Sequence, residues 1–141
     1  MSTDEPVVLL LTDPGMAAHA WPGHPERPER VEALVAGVAD AAQASGARLV
    51  QRSAMPATDD MLTRVHEAGY LEWLVAQAAE GGVWLDPDTY LVEATPAAAW
   101  LGAGLATAAA EAVVSGEAGV AFAAVRPPGH HAARDQGKGF C

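Results

Sequence analysis

Ala121-Phe122-Ala123-Ala124-Val125-Arg126-Pro127-Pro128-Gly129-His130-His131-Ala132 is an apolar run that stops at two prolines and a glycine and opens onto two histidines. Apolar residues at successive positions predict a strand covered on both faces, as in a parallel sheet. Pro127 and Pro128 have no N–H to give to a ladder, so they end the strand. The two imidazoles then sit in a loop past the carboxyl end of a core strand, where open α/β sheets bind ligands. Histidine titrates nearest neutrality, and two together point to proton transfer. Neighbours on an extended chain face opposite sides, so aiming both rings at one place needs a special backbone, which Gly129 permits. A pair of solvated loop histidines is the plainer alternative. The rigid Pro-Pro-Gly lead-in weighs against it.

Upstream, residues 6–12 are apolar and predict the first strand. Residues 13–27 predict a long ordered loop with Pro14, Pro22 and Pro25, and long loops in compact domains tend to be functional. Pro28 suits the first position of a helix. Val31, Leu34, Val35 and Val38 recur at helical spacing and Gly46 closes that helix. Residues 48–52 predict a second strand. Thr58 is placed to cap a short helix, with Asp59 and Asp60 in its first turn. Residues 68–80 predict another helix, ended by Gly81 and Gly82. Residues 83–94 read as a loop with turn chemistry at Asp86-Pro87-Asp88. Thr95 and Pro96 open a helix that runs to about Ser115 and stops at Gly116. Residues 119–125 are the strand described above. Strand, helix, strand, helices, strand predicts a layered α/β domain with mostly parallel pairing.

The chain has 141 residues, enough for one domain with a sizeable core. Its formal net charge of −10 argues against a nucleic-acid binder, which would need a basic face. A cationic substrate would suit it. One cysteine, Cys141, excludes an intramolecular disulfide and fits a reducing cytoplasmic compartment. No uninterrupted apolar stretch of spanning length is evident, so no membrane partner is expected; residues 97–114 come closest, interrupted by Gly, Thr and Glu111. The N-terminus carries acids and lacks the basic segment of a signal peptide. Oligomeric state is not legible.

Arg126-Pro127-Pro128-Gly129-His130-His131-Ala132, followed by Gly139-Phe140-Cys141, resembles the signature of the histone deacetylase family, which includes bacterial acetylpolyamine amidohydrolases. Residues 24–31 (His-Pro-Glu-Arg-Pro-Glu-Arg-Val) resemble its N-terminal motif. Residues 65–71 and Asp86-Pro87-Asp88-Thr89 resemble two further blocks, in the family's order. The resemblance implies a mainly parallel open sheet flanked by helices, of the arginase/deacetylase type and incomplete at its C-terminal end. Residues 1–141 would then be the N-terminal part of one catalytic domain.

The activity it implies is zinc-dependent hydrolysis of acetylated amines, whether acetyl-lysine or an acetylpolyamine. By the same resemblance His130 and His131 are catalytic, one as general base and the other as acid or as a charge near the oxyanion. Asp88 is a rim residue that binds substrate, although a turn aspartate is an equal reading. Gly139 and Phe140 form a tunnel wall for the acylated side chain. Arg30 and Cys141 border a cavity behind the metal. In the family the zinc ligands are an Asp-x-His segment and a further Asp, placed later in the chain. No metal ligand is therefore expected within these residues, and the 141-residue chain alone is expected to be inactive. His19 and His24 are expected to be structural or solvated. A truncated, non-catalytic scaffold is the alternative.

Overall fold

A computed structural model describes residues 5–141. The reading of the N-terminus as lacking a signal peptide rests partly on residues 1–4 and lies outside the described residues. Three parallel strands form the main sheet: β1 (Val7–Leu11), β2 (Arg48–Arg52) and β5 (Val120–Ala123), in the order β2-β1-β5. Val8 pairs with Leu49 on one side and Val120 on the other. The central strand, β1, is Val-Val-Leu-Leu-Leu, and its three leucines are all buried. Only a strand with both faces covered shows that pattern.

The covers are two helices. Helix α1 (Glu29–Ser45) packs on β2 and β1, and helix α4 (Thr95–Val114) packs on β5 and β1. Leu9 and Leu11 share one apolar cluster with Met16, Ala98, Leu105 and Ala109 of the α4 side. Leu10 alternates to the opposite face, where α1 lies. The α1 cover is thin. Val31, Val35 and Val38 are half-buried as their spacing predicts, but Leu34 is 43% exposed.

Terminators act as expected. Gly46 adopts φ +70 and stops α1. Thr58 accepts the Met61 N–H and caps α2 (Asp59–Leu62). Helix α3 (Ala68–Ala79) packs on α4. Pro28 precedes α1 as its cap residue. Thr95 is already helical, and its hydroxyl accepts the Val92 N–H.

Two expectations need correction. Residues 83–94 are not simply a loop: β3 (Val83–Asp86) and β4 (Thr89–Leu91) form an antiparallel hairpin about the anticipated Asp86-Pro87-Asp88 turn. Strands this short carry too few alternations to register as a period. Nor is β5 covered on all sides. It is an edge strand among the described residues, with Val120 58% and Phe122 39% exposed. By length and composition α4 is also apolar enough to cross a membrane, with a mean hydropathy of 1.5. It lies on the sheet with Ala98, Gly102, Gly104, Leu105, Ala109 and Ala112 buried, as a core helix does.

Because the strands are parallel, their carboxyl ends share one edge of the sheet. The loop 12–28 leaves β1 there and residues 124–141 leave β5 there, the latter without helix or strand. The chain steps from β1 to β2 on one side and returns to β5 on the other. That reversal opens a crevice at the carboxyl ends of β1 and β5.

Candidate functional site

Two charged residues close the floor of this crevice. Arg126 leaves the end of β5 with 2% of its surface exposed, and Glu26 of the first loop is 1% exposed. Arg126 donates through Nε to Glu26 Oε1 at 3.0 Å and through Nη2 to Oε2 at 2.8 Å, a fork-to-fork pair. Its Nη1 donates to the Met16 carbonyl at 2.8 Å. His19 brings Nε2 to 3.5 Å from Glu26 Oε2 and stacks on Tyr90 at 4.4 Å. Burial alone would raise the Glu26 carboxyl; hydrogen bonds from His19 and Arg126, with the Arg126 charge, outweigh it and hold the group at about 2. Among the described residues, no buried side-chain nitrogen or oxygen is left unpartnered.

His24 is the second tie. Its Nδ1 accepts the Glu26 N–H at 3.0 Å, and its Nε2 donates to the Asp88 carbonyl at 3.0 Å, which ties the first loop to the hairpin turn. His19 and His24 are thus buried and hydrogen-bonded rather than solvated. Arg30 is exposed and only approaches Glu26, at 4.0 Å, so it borders the ion pair from outside.

Past Arg126 the peptide bond to Pro127 is cis, and the loop delivers His130 and His131 to the surface. Their rings lie 4.1 Å apart at 69°, so the backbone does aim both at one place. His131 donates from Nδ1 to the Gly139 carbonyl at 3.2 Å, and its backbone N–H donates to Cys141 Sγ at 3.3 Å. Gly139 adopts φ +61, and a Cβ there would stand 2.5 Å from His131 Nδ1. Only glycine lets the 139–141 turn come so close to the ring.

That turn is anchored from the hairpin. Gly139 N–H donates to Asp86 Oδ2 at 3.2 Å, and Phe140 N–H donates to Thr89 Oγ1 at 2.9 Å. Asp86 also accepts the Asp88 N–H at 2.9 Å. Desolvation raises the Asp86 carboxyl, but these donors and the Thr89 hydroxyl outweigh it and hold it at about 2. Asp88 stays on the exposed turn, its carboxylate accepting the Thr89 hydroxyl at 3.1 Å.

Beneath the loop lies an apolar cavity of about 310 Å³ between α3, α4 and the hairpin. Tyr70, Leu71, Leu74 and Ala103 line it, with Phe140 and Cys141 at the loop side. Phe140 thus lies on the cavity wall. Gly139 contacts His131 and Asp86. Sequence reasoning missed Glu26, Arg126, Tyr90 and Asp86 as members of the site. It also treated His130, His131 and Cys141 separately, whereas their donor atoms all lie within 4.8 Å of one another. That is the one compact donor cluster found among the described residues. It holds no carboxylate, so it does not fit the carboxylate–histidine set implied for zinc.

The model of the histone deacetylase domain matches residues 24–141. A histone deacetylase-like amidohydrolase of Pseudomonas aeruginosa is 50% identical over 95 residues, which are 67% of this chain and 25% of that protein. A probable deacetylase of Archaeoglobus fulgidus is 36% identical over 120 residues, 85% of this chain and 33% of that protein. The crystal structure of the HDA15 HD domain matches with a TM-score of 0.85 at 31% identity, over 96% of this chain and 40% of that one. The chain spans a quarter to a third of the length of these two curated relatives.

Proposed function

Because this chain belongs to the histone deacetylase family, we propose that it forms the amino-terminal part of a deacetylase site that hydrolyses the amide of acetylated amines. The observation that carries this reading is the pair His130 and His131, 4.1 Å apart beside an apolar cavity at the carboxyl edge of a parallel sheet. His131 has the form of a base. Its Nδ1–H is committed to the Gly139 carbonyl, so Nε2 keeps a lone pair able to take a proton from water. His130, free of that tether, is suited to carry the proton to the departing amine. The apolar wall suits the aliphatic stem of an acylated lysine or polyamine, and the net charge of −10 suits a cationic substrate. Zinc, in the family, supplies polarisation of the amide carbonyl. The ligands implied for it are not among these residues.

The test is hydrolysis of an acetyl-lysine peptide and an acetylated polyamine by the full-length gene product that carries these residues. His130→Ala and His131→Ala should each slow turnover by about 10²–10⁴-fold. Unchanged rates in both variants would remove the assignment. Absence of turnover in the wild type would favour a non-catalytic scaffold.

A further inference from the structure

We propose that His130, His131 and Cys141 together form a binding site for a thiophilic divalent cation of the zinc class, separate from the carboxylate–histidine set that the family resemblance implies. Their donor atoms fall within 4.8 Å of one another. A tetrahedral zinc with bonds of about 2.0–2.1 Å to nitrogen and 2.3 Å to sulfur needs donors roughly 3.3–3.7 Å apart. The difference is about an ångström. Both rings are exposed, and the His130 ring, which lacks the Gly139 tether, can turn to close that gap.

Two further observations point the same way. The backbone N–H of His131 already donates to Cys141 Sγ, which holds the sulfur beside the two rings. The Nδ1–H of His131 is held by the Gly139 carbonyl, which leaves Nε2 as the nitrogen available to a metal. Histidine ligands are commonly fixed this way, by a partner on the other nitrogen. Two imidazoles and a thiolate select zinc, cobalt or cadmium over magnesium or calcium, which take oxygen. Three protein donors leave the fourth position to water. Binding releases the Cys141 thiol proton to solvent, so affinity rises with pH. A cation held here also occupies the ring nitrogens assigned above to proton transfer. Binding itself does not rest on that assignment.

Cobalt(II) titrated into the 141-residue chain, with a phosphine reductant, provides the test. The chain has one cysteine, so thiolate-to-cobalt charge-transfer absorption in the near ultraviolet reports Cys141 alone. One equivalent per chain should saturate the band, and zinc should displace it. Cys141→Ser should abolish the band and weaken binding at least tenfold, the lower end of what loss of even an outer partner costs a metal site. His130→Ala, at an exposed position, should weaken cobalt binding at least tenfold while keeping a fainter band. The proposal is overturned by a wild-type chain without the band at stoichiometric cobalt. It is equally overturned by half an equivalent per chain, or by unchanged affinity in Cys141→Ser or His130→Ala. The readout is absorption, so it stands apart from any failure of the deacetylase reading.

Discussion

Glu26 and Arg126 lie a hundred positions apart and meet with almost no surface exposed. Neither side chain is solvated, so each depends on the other to offset its desolvation. Removing one partner leaves an uncompensated buried charge; Glu26→Ala is expected to cost about 3–5 kcal/mol in denaturant unfolding. The pair also sets an acid limit. Glu26 is held at about 2 against an ordinary 4.5. A depressed folded value means the unfolded chain binds the proton first. The stabilisation is therefore complete above about pH 4.5 and is lost as pH falls toward 2. Two and a half units amount to roughly 3 kcal/mol. The stability gap between wild type and Glu26→Gln should shrink by about that amount across the window; a gap constant with pH would sink the account. None of this was legible in the sequence, because a pair so distant leaves no local period. The available signal was an arginine placed directly after an apolar run.

Helix α4 carries its specificity in glycine and alanine. At Gly104 an added Cβ would stand 2.1 Å from the Met55 carbonyl oxygen and 2.7 Å from the Ala57 nitrogen. Both are backbone atoms and cannot swing away. Gly104→Ala should therefore destabilise by about 1–3 kcal/mol or more through overpacking, despite the better helix propensity of alanine. Gly37, in the middle of α1, meets nothing within 4 Å. There the same change should stabilise by about 0.5–1 kcal/mol. Opposite signs in thermal unfolding would confirm which helix face is packed; the same sign in both would contradict it. The elements themselves were largely legible. The Arg48–Arg52 strand, the Gly46 stop and the Thr58 cap follow from local chemistry, which acts within a few residues. The hairpin was missed because Trp84 and Tyr90 stand on strands of four and three residues, held by packing against the first loop. His130 and His131 were found because the proline pair fixes where the strand ends. Their closeness to Cys141 was not, since it depends on how residues 132–138 turn back.

Among the described residues, the sheet has β1 at its centre and β5 at an edge. A strand paired on one side presents unsatisfied N–H and C=O groups on the other, a template for another chain. The usual protections are charge, proline or a bulge along the edge. The segment Val120-Ala-Phe-Ala123 has none of these, and its Val120 and Phe122 side chains are exposed. The described protein is therefore expected to self-associate through β5. The sign of the test follows from which groups face solvent. Val120→Lys and Phe122→Thr change exposed positions, so they leave the Leu9–Leu105 core untouched while placing a charge and a smaller polar group along the edge. The double variant should raise the monomer fraction in sedimentation velocity at matched concentration, with unfolding midpoints close to the wild type. A wild-type chain that stays monomeric at high micromolar concentration, with one sharp unfolding transition, would show that this edge is protected by some other means. The acidic surface is the one counterweight visible. A net charge of −10 repels like copies over about 10 Å at 0.1 M salt. Association should then strengthen as salt is raised, whereas an interface built on ion pairs would weaken.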